Sequence, residues 1–218
     1  MIHFLIFSIK VKKKNMTYSL DINNREPEIR RYTLEEYFEF EYATEGKHEF
    51  YDGEIVDVSY TSENHGIINS NLIYVFNQHY RKLDYSVFGR NRMVYVPSYN
   101  NIIYPDLCVI GKHEFYEYKK IHATLNPIIV VNVSVSTRNH YRKRIVKCCR
   151  TIPSLKQYII VDQDTKFVEV YERSEDGHWF SEIYSDDDDM VKIGDCQILL
   201  KDIYHKVELS EGESKSDN

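Results

Sequence analysis

Apolar residues recur along the chain with two periods, and the switches between them mark out its elements. Between Tyr32 and Gly46, Leu34, Tyr37, Phe38 and Tyr42 fall at helical spacing, one stripe of a 3.6-residue period. Thr33 stands three residues before Glu36, the pattern in which each side chain satisfies the other's backbone N–H at a helix start. A first helix is therefore predicted. "KHEFYDGEIVDVSY" alternates instead, around Asp52-Gly53, which predicts a hairpin because that pair accepts the positive φ angles of a two-residue turn. From Ser62 to Lys82 the helical period returns, with Ile67, Ile68, Leu72, Val75, Phe76 and Tyr80 on one side.

Beyond this long helix the apolar runs shorten. Strands are predicted from about Tyr85 to Phe88, Met93 to Val96 and Ile102 to Ile110. Pro127 opens "IIVVNVSV", whose lack of polar alternation predicts a central strand covered on both faces. Thr137 to Arg150 reads as a basic helix stopped by "TIPS", and "LKQYIIVD", "KFVEVYERS" and "HWFSEIYS" read as a strand meander. The order predicts a mixed α/β (α+β) fold, a central mixed sheet flanked by helices with the meander at its C-terminal side.

Composition adds limits. At 218 residues, 42% hydrophobic and 28% charged, the chain suits one domain with its own core. The opening "MIHFLIFSIKVKKKNM" places lysines after a short apolar run. That is the wrong order for a secretory leader and far short of the ~20 apolar residues of a membrane span. It reads as an extension upstream of a start at Met16. We expect a poorly ordered extension over 1–31, the folded domain over 32–207 and a disordered charged tail over 208–218. Cys108, Cys148, Cys149 and Cys196 make no CxxC pair, which predicts reduced, buried thiols in a cytoplasmic protein. "SDDDDM" lacks EF-hand spacing and reads as a solvated turn.

The net charge of −6 argues against a uniformly basic nucleic-acid binder. The distribution differs. From Tyr118 to Val161 there is no Asp or Glu, while Lys119, Lys120, Arg138, Arg142, Lys143, Arg144, Lys147, Arg150 and Lys156 all fall there. Such segregation marks either a phosphate-facing patch or a solvated helix face paired with acids elsewhere.

Several stretches in order resemble the Uma-type restriction endonuclease family, a branch of the PD-(D/E)xK nuclease superfamily. They are "YTLEEYFEFEYATEGKHEFYDGEIV", "HGIINSNL", "VYVP", "YPDLCVI", "LNPIIVV", "STRNHYR" and "RTIPSLKQYIIVDQD". The resemblance implies a restriction-endonuclease-like sheet core, DNA as partner, and metal-dependent phosphodiester hydrolysis using Mg²⁺ or Mn²⁺; it leaves a homodimer open. Asp106 of "YPD" takes the place of the first metal-binding aspartate, and Glu49 that of an early glutamate. Without the resemblance, Pro105-Asp106 would simply mark a strand entry or edge. His65 matches a histidine at the start of the long helix, where capping is the expected job. Arg138, Arg142, Lys143, Arg144, Lys147 and Arg150 become the candidate nucleic-acid contacts.

The chain departs from the family at the second metal ligand. Where the family reads "VEVLSPST", this sequence has "VNVSVST". Aligning with one deletion puts Asn132 at the glutamate; aligning without it puts Val131 there. Neither is a carboxylate, so the catalytic set reads Asp106, Glu49 and Asn132, with only Asp106 and Glu49 able to bring charge to a metal. Where the family shows "DRGEKF", "YRKRIV" places Ile145 at the lysine. Lys143 and Lys147 stand two residues to either side, about 200° around a helix. Three readings follow: a nuclease that recruits another acid such as Asp52 or Glu54, a non-catalytic nucleic-acid-binding relative, or a decayed copy.

Overall fold

Thr33 caps the first helix, α1 (Leu34–Ala43), with Glu36 closing the reciprocal capping box. Tyr37 and Phe38 are its buried residues. The chain then forms the expected hairpin of β1 (His48–Tyr51) and β2 (Glu54–Asp57). Asp52 and Gly53 turn it at φ 47° and 99°, angles that an Asp-Gly pair accepts at low cost. The computed structural model describes residues 30–58, 61–134 and 139–209, and of 139–143 the backbone alone. The expected extension up to residue 29 and the tail from 210 lie outside the described residues.

Ser62 starts α2 (Glu63–Tyr80), whose buried face of His65, Ile68, Leu72, Phe76 and Tyr80 repeats every three to four residues. There follow β3 (Ser86–Gly89), β4 (Val94–Val96), β5 (Asn101–Ile103), β6 (Leu107–Ile110), β7 (Phe115–Tyr118) and β8 (Ile121–Thr124). The long strand β9 (Pro127–Ser134), α3 (Asn139–Cys149) and β10 (Gln157–Asp162) come next. β11 (Val168–Arg173), β12 (Trp179–Tyr184), β13 (Met190–Ile193), β14 (Cys196–Leu199) and α4 (Leu200–Ile203) complete the order.

These strands build two six-stranded sheets and a separate two-stranded one. The first runs β2-β1-β5-β4-β8-β7 and the second β12-β11-β10-β9-β6-β3. In the second, β9 and β10 are parallel and the other pairs antiparallel. The fold is the mixed α/β arrangement expected, and β9 is interior as its apolar run implied. The second sheet is the mixed sheet expected, with α2 and α3 on its two faces; a further six-stranded sheet arises because the chain changes sheet twice within twenty residues.

One change corrects the strand expected from Ile102 to Ile110. Pro105 has no N–H to give to a ladder, and the run divides into β5 of the first sheet and β6 of the second. Asp106 sits at the crossing. The link from Gly89 to Val94 makes a second crossing beside it, since Gly89 pairs with Leu107. The β7–β8 hairpin had no sequence signal. Its "FYEY" alternates poorly, and its turn places Lys119 at φ 52° where a Gly or Asn would have announced it.

Packing follows the layers. α2 buries its stripe with Leu107, Val109, Ile129, Val131 and Ile159 on one face of the second sheet. On the other face, Ile145, Val146, Cys148 and Cys149 of α3 join Cys108, Val130, Tyr158 and Ile160, together with Val94, Val96 and Ile103 of the first sheet. α1 covers the first sheet's remaining face through Phe50, Met93, Ile102 and Ala123. In the "SDDDDM" turn, Asp189 accepts the N–H of Ser185 and Asp186 at 2.8 and 2.9 Å. Asp187 pairs with Lys166 and Asp188 with Lys201. The four cysteines are buried and free. No described helix is long and apolar enough to cross a membrane.

Candidate functional site

The two crossings and the C-terminal end of β9 converge on Asp106. Leu107 pairs with Val131, so Asp106 and Asn132 each stand one residue past that pair on adjacent strands. Asp106 is 7% exposed, and its Oδ2 accepts the backbone N–H of Val133 at 2.8 Å. Its other oxygen faces a ring nitrogen and a guanidinium: His65 Nε2 lies 3.0 Å from Oδ1 and Arg90 Nε 3.5 Å from the same atom. Arg90 comes from the second crossing and His65 from the first turn of α2. The capping role expected of His65 belongs to Ser62, whose side chain accepts the His65 N–H at 3.2 Å. The imidazole is thereby free to turn inward to the carboxylate.

Asn132 faces the α3 side, where its Nδ2 donates to the Tyr158 hydroxyl at 2.9 Å. Among the described residues its Oδ1 is buried without a hydrogen-bond partner, as is Ser134 Oγ two residues on. Val131, the alternative alignment position, is fully buried on the α2 side among Leu107 and Ile159. Glu49 projects from β1 into the layer between the sheets. Its Oε1 accepts the Tyr104 N–H at 2.9 Å and its Oε2 the Tyr51 hydroxyl at 2.5 Å. Glu49 is thus tied to the crossing two residues before Asp106. Glu41 reinforces that tie, accepting the Tyr104 hydroxyl at 2.6 Å while its other oxygen meets His48 Nδ1 at 2.7 Å. Burial and Glu41 together push the Tyr104 hydroxyl far above its ordinary pKa, so it stays a donor. Of the acids suggested as substitutes, Asp52 pairs with Arg31 in the hairpin turn.

The candidate nucleic-acid contacts on α3 divide. Arg138 lies outside the described residues, and nothing is described of the Arg142 and Lys143 side chains. The Arg144 guanidinium stacks on the Tyr51 ring at 5.1 Å and Arg150 on Trp179 at 5.2 Å. Lys147 is exposed. Ile145, at the family lysine position, is 1% exposed in the core between the sheets. The sequence reading missed Arg90, Tyr51 and Tyr158. "GRNR" between two strands does put two arginines in one short link, but nothing in the pattern says that the link passes the candidate aspartate.

A hard dication needs several oxygen ligands with net negative charge among them. Among the described residues, no group of three or more His, Cys, Asp or Glu side chains is placed to hold a metal ion. Asp106 already carries an imidazole and a guanidinium on one oxygen, and Asn132 can offer a carbonyl oxygen but no charge. The donor set does not fit Mg²⁺ or Mn²⁺.

Known proteins share this architecture. A crystal structure from Anabaena variabilis ATCC 29413, described as a "putative nuclease belonging to DUF820", superposes with a TM-score of 0.63 at 17% identity, covering 79% of this chain and 97% of that one. Two uncharacterized proteins of Synechocystis sp. (strain ATCC 27184 / PCC 6803 / Kazusa) are similar in sequence. One, sll1609, is 28% identical over 67% of this chain and 84% of its own length. The other, slr1290, is 27% identical over 66% of this chain and 76% of its own. The sequence model of the Uma2 family, described as "Putative restriction endonuclease", matches residues 34–197, and the chain belongs to that family.

Proposed function

We propose that this chain is a DNA-directed member of the nuclease family whose phosphodiester cleavage is impaired, because Asn132 stands where the second metal-binding carboxylate belongs. The observation that carries the reading is the pairing of Asp106 with Arg90 and His65 while its strand neighbour Asn132 bonds to Tyr158. Asn132, not Val131, is the matching position in this reading. A carboxylate at Val131 would lie in a fully apolar core at a cost of several kcal/mol, whereas position 132 already holds a polar group. Metal-based charge stabilisation carries much of the barrier reduction in hydrolysis of this kind, so its weakening lowers cleavage by orders of magnitude. The domain is proposed to span 32–207. A cytoplasmic location belongs to the same proposal and is supported by the four buried, unpaired thiols.

Calorimetric titration with Mn²⁺ tests the metal side of this reading. Wild type is expected to show no Asp106-dependent binding, and Asn132→Glu to gain binding that Asp106→Ala abolishes. Tight binding by wild type that disappears in Asp106→Ala would overturn it. A second reading, nucleic-acid binding without any hydrolysis, is favoured by Arg90. A guanidinium that neutralises the remaining aspartate also lowers the repulsion of a phosphate backbone.

A further inference from the structure

The two crossings beside Asp106 also shape a cleft. Phe88, Gly89, Arg90, Asn91 and Arg92 line a cavity of about 460 Å³. Asn91 and Arg92 continue into a second of about 580 Å³, walled also by Lys47, Tyr104, Lys120 and His122. Each volume lies in the range that takes a group the size of a nucleotide.

The charge in this cleft is unbalanced. Four cationic side chains line it, Lys47, Arg90, Arg92 and Lys120, of which Arg90 is paired with Asp106, and the carboxylate in the wall is Glu41. Its two oxygens are already taken by His48 and Tyr104. Among the described residues, no carboxylate lies within ion-pair distance of Lys47, Arg92 or Lys120. Glu45 and Asp57 occupy an adjoining cavity that shares Lys47 and Arg90, and Asp57 is directed at His48 Nε2, 3.3 Å away. Burial and the neighbouring Arg90 charge hold the Lys47 ammonium below its ordinary pKa, a strain that a bound anion would relieve. Ring faces are interleaved with the cations: the Arg92 guanidinium lies 5.1 Å over Phe88, and Tyr42 on the cavity wall is 53% exposed. A duplex keeps its bases stacked inside, whereas a single strand offers phosphates and base faces together, and cations mixed with aromatic rings are what hold it.

We propose that this cleft binds a single strand of nucleic acid, its phosphates on Lys47, Arg90, Arg92 and Lys120 and a base against Phe88 or Tyr42. The inference rests on the reading of nucleic acid as the partner; it adds the form of the strand and where it lies. Arg90 then serves both sites, and a strand that draws it away leaves Asp106 with His65.

The test is fluorescence anisotropy with a labelled oligothymidylate and a duplex of equal length, over a salt series. Wild type is expected to prefer the single strand. Arg92→Ala with Lys120→Ala should weaken it at least tenfold and reduce the salt slope by about 0.7 for each phosphate no longer neutralised. Arg92 also donates to Thr124 Oγ1 at 2.6 Å, so Lys120→Glu alone, at an exposed position, gives the same direction of change without disturbing that bond. Arg144→Ala with Lys147→Ala tests α3 as the competing site, and the cleft proposal requires that this pair weaken single-strand binding less than the cleft pair does. If the α3 pair carries the weakening, or the duplex binds more tightly, the cleft proposal falls while nucleic acid remains the partner. If neither nucleic acid binds at the lowest salt, both fall.

Discussion

Asp106 is held in the fold by contacts on both carboxylate oxygens. Its carboxylate satisfies the Val133 N–H and faces the buried imidazole of His65, so removing it strands a donor and a polar ring in the interior. An unsatisfied buried group costs about 1–3 kcal/mol. Asp106→Ala is therefore expected to lower the free energy of unfolding by about 2 kcal/mol, read from urea titration, whatever it does to cleavage. Ile145 makes a sharper case. The family resemblance marks it as the place of a lost lysine, yet it is 1% exposed among Val146, Cys148 and Cys149. Ile145→Lys should destabilise by roughly 3–5 kcal/mol, as an uncompensated buried charge does, and the same titration will show it. The positions of Asp106, Glu49 and Asn132 in the family pattern were legible because the resemblance is carried by residue order, which survives in sequence. The partners of Asp106 were not, since His65 and Arg90 come from a helix start and a loop that meet it only when two sheets are assembled.

At the scale of elements, local chemistry was readable where it is local. The capping box of α1 lies within four residues, Thr33 Oγ1 accepting the Glu36 N–H at 3.1 Å and Glu36 Oε2 the Thr33 N–H at 2.9 Å. Thr33→Ala is expected to cost about 1 kcal/mol, seen as a lower midpoint in thermal unfolding followed by circular dichroism. The hairpin at Asp52-Gly53 and the stripe of α2 belong to the same class. The crossing at Tyr104-Pro105-Asp106 does not, because apolar residues on both sides of Pro105 read as one strand and only the pairing partners reveal two sheets. The β7–β8 hairpin escaped for a different reason: Lys119 takes a left-handed turn conformation that its residue type rarely adopts. That crossing, unreadable in the pattern, is what puts Asp106 at the junction of the sheets.

For the molecule as a whole, burial sets an alkaline limit. Burial pushes the Cys108 thiol from its ordinary 9.0 up to about 12, and the Tyr80 hydroxyl from 10.0 up to about 12. Both groups hold their protons more tightly in the folded state than in the unfolded chain. Their contribution is complete below pH 9 and is lost as pH rises toward 12. The urea midpoint should therefore fall steadily above pH 9, and Cys108 should resist thiol-directed alkylation until the fold opens. On this frame the proposal under test is that Asn132 withholds the charge a metal site of the family requires. Plasmid cleavage in Mg²⁺ or Mn²⁺ by wild type, Asn132→Glu and Asp106→Ala tests it most directly. The account predicts negligible cleavage by wild type and a gain in Asn132→Glu; robust wild-type cleavage abolished by Asp106→Ala would contradict it.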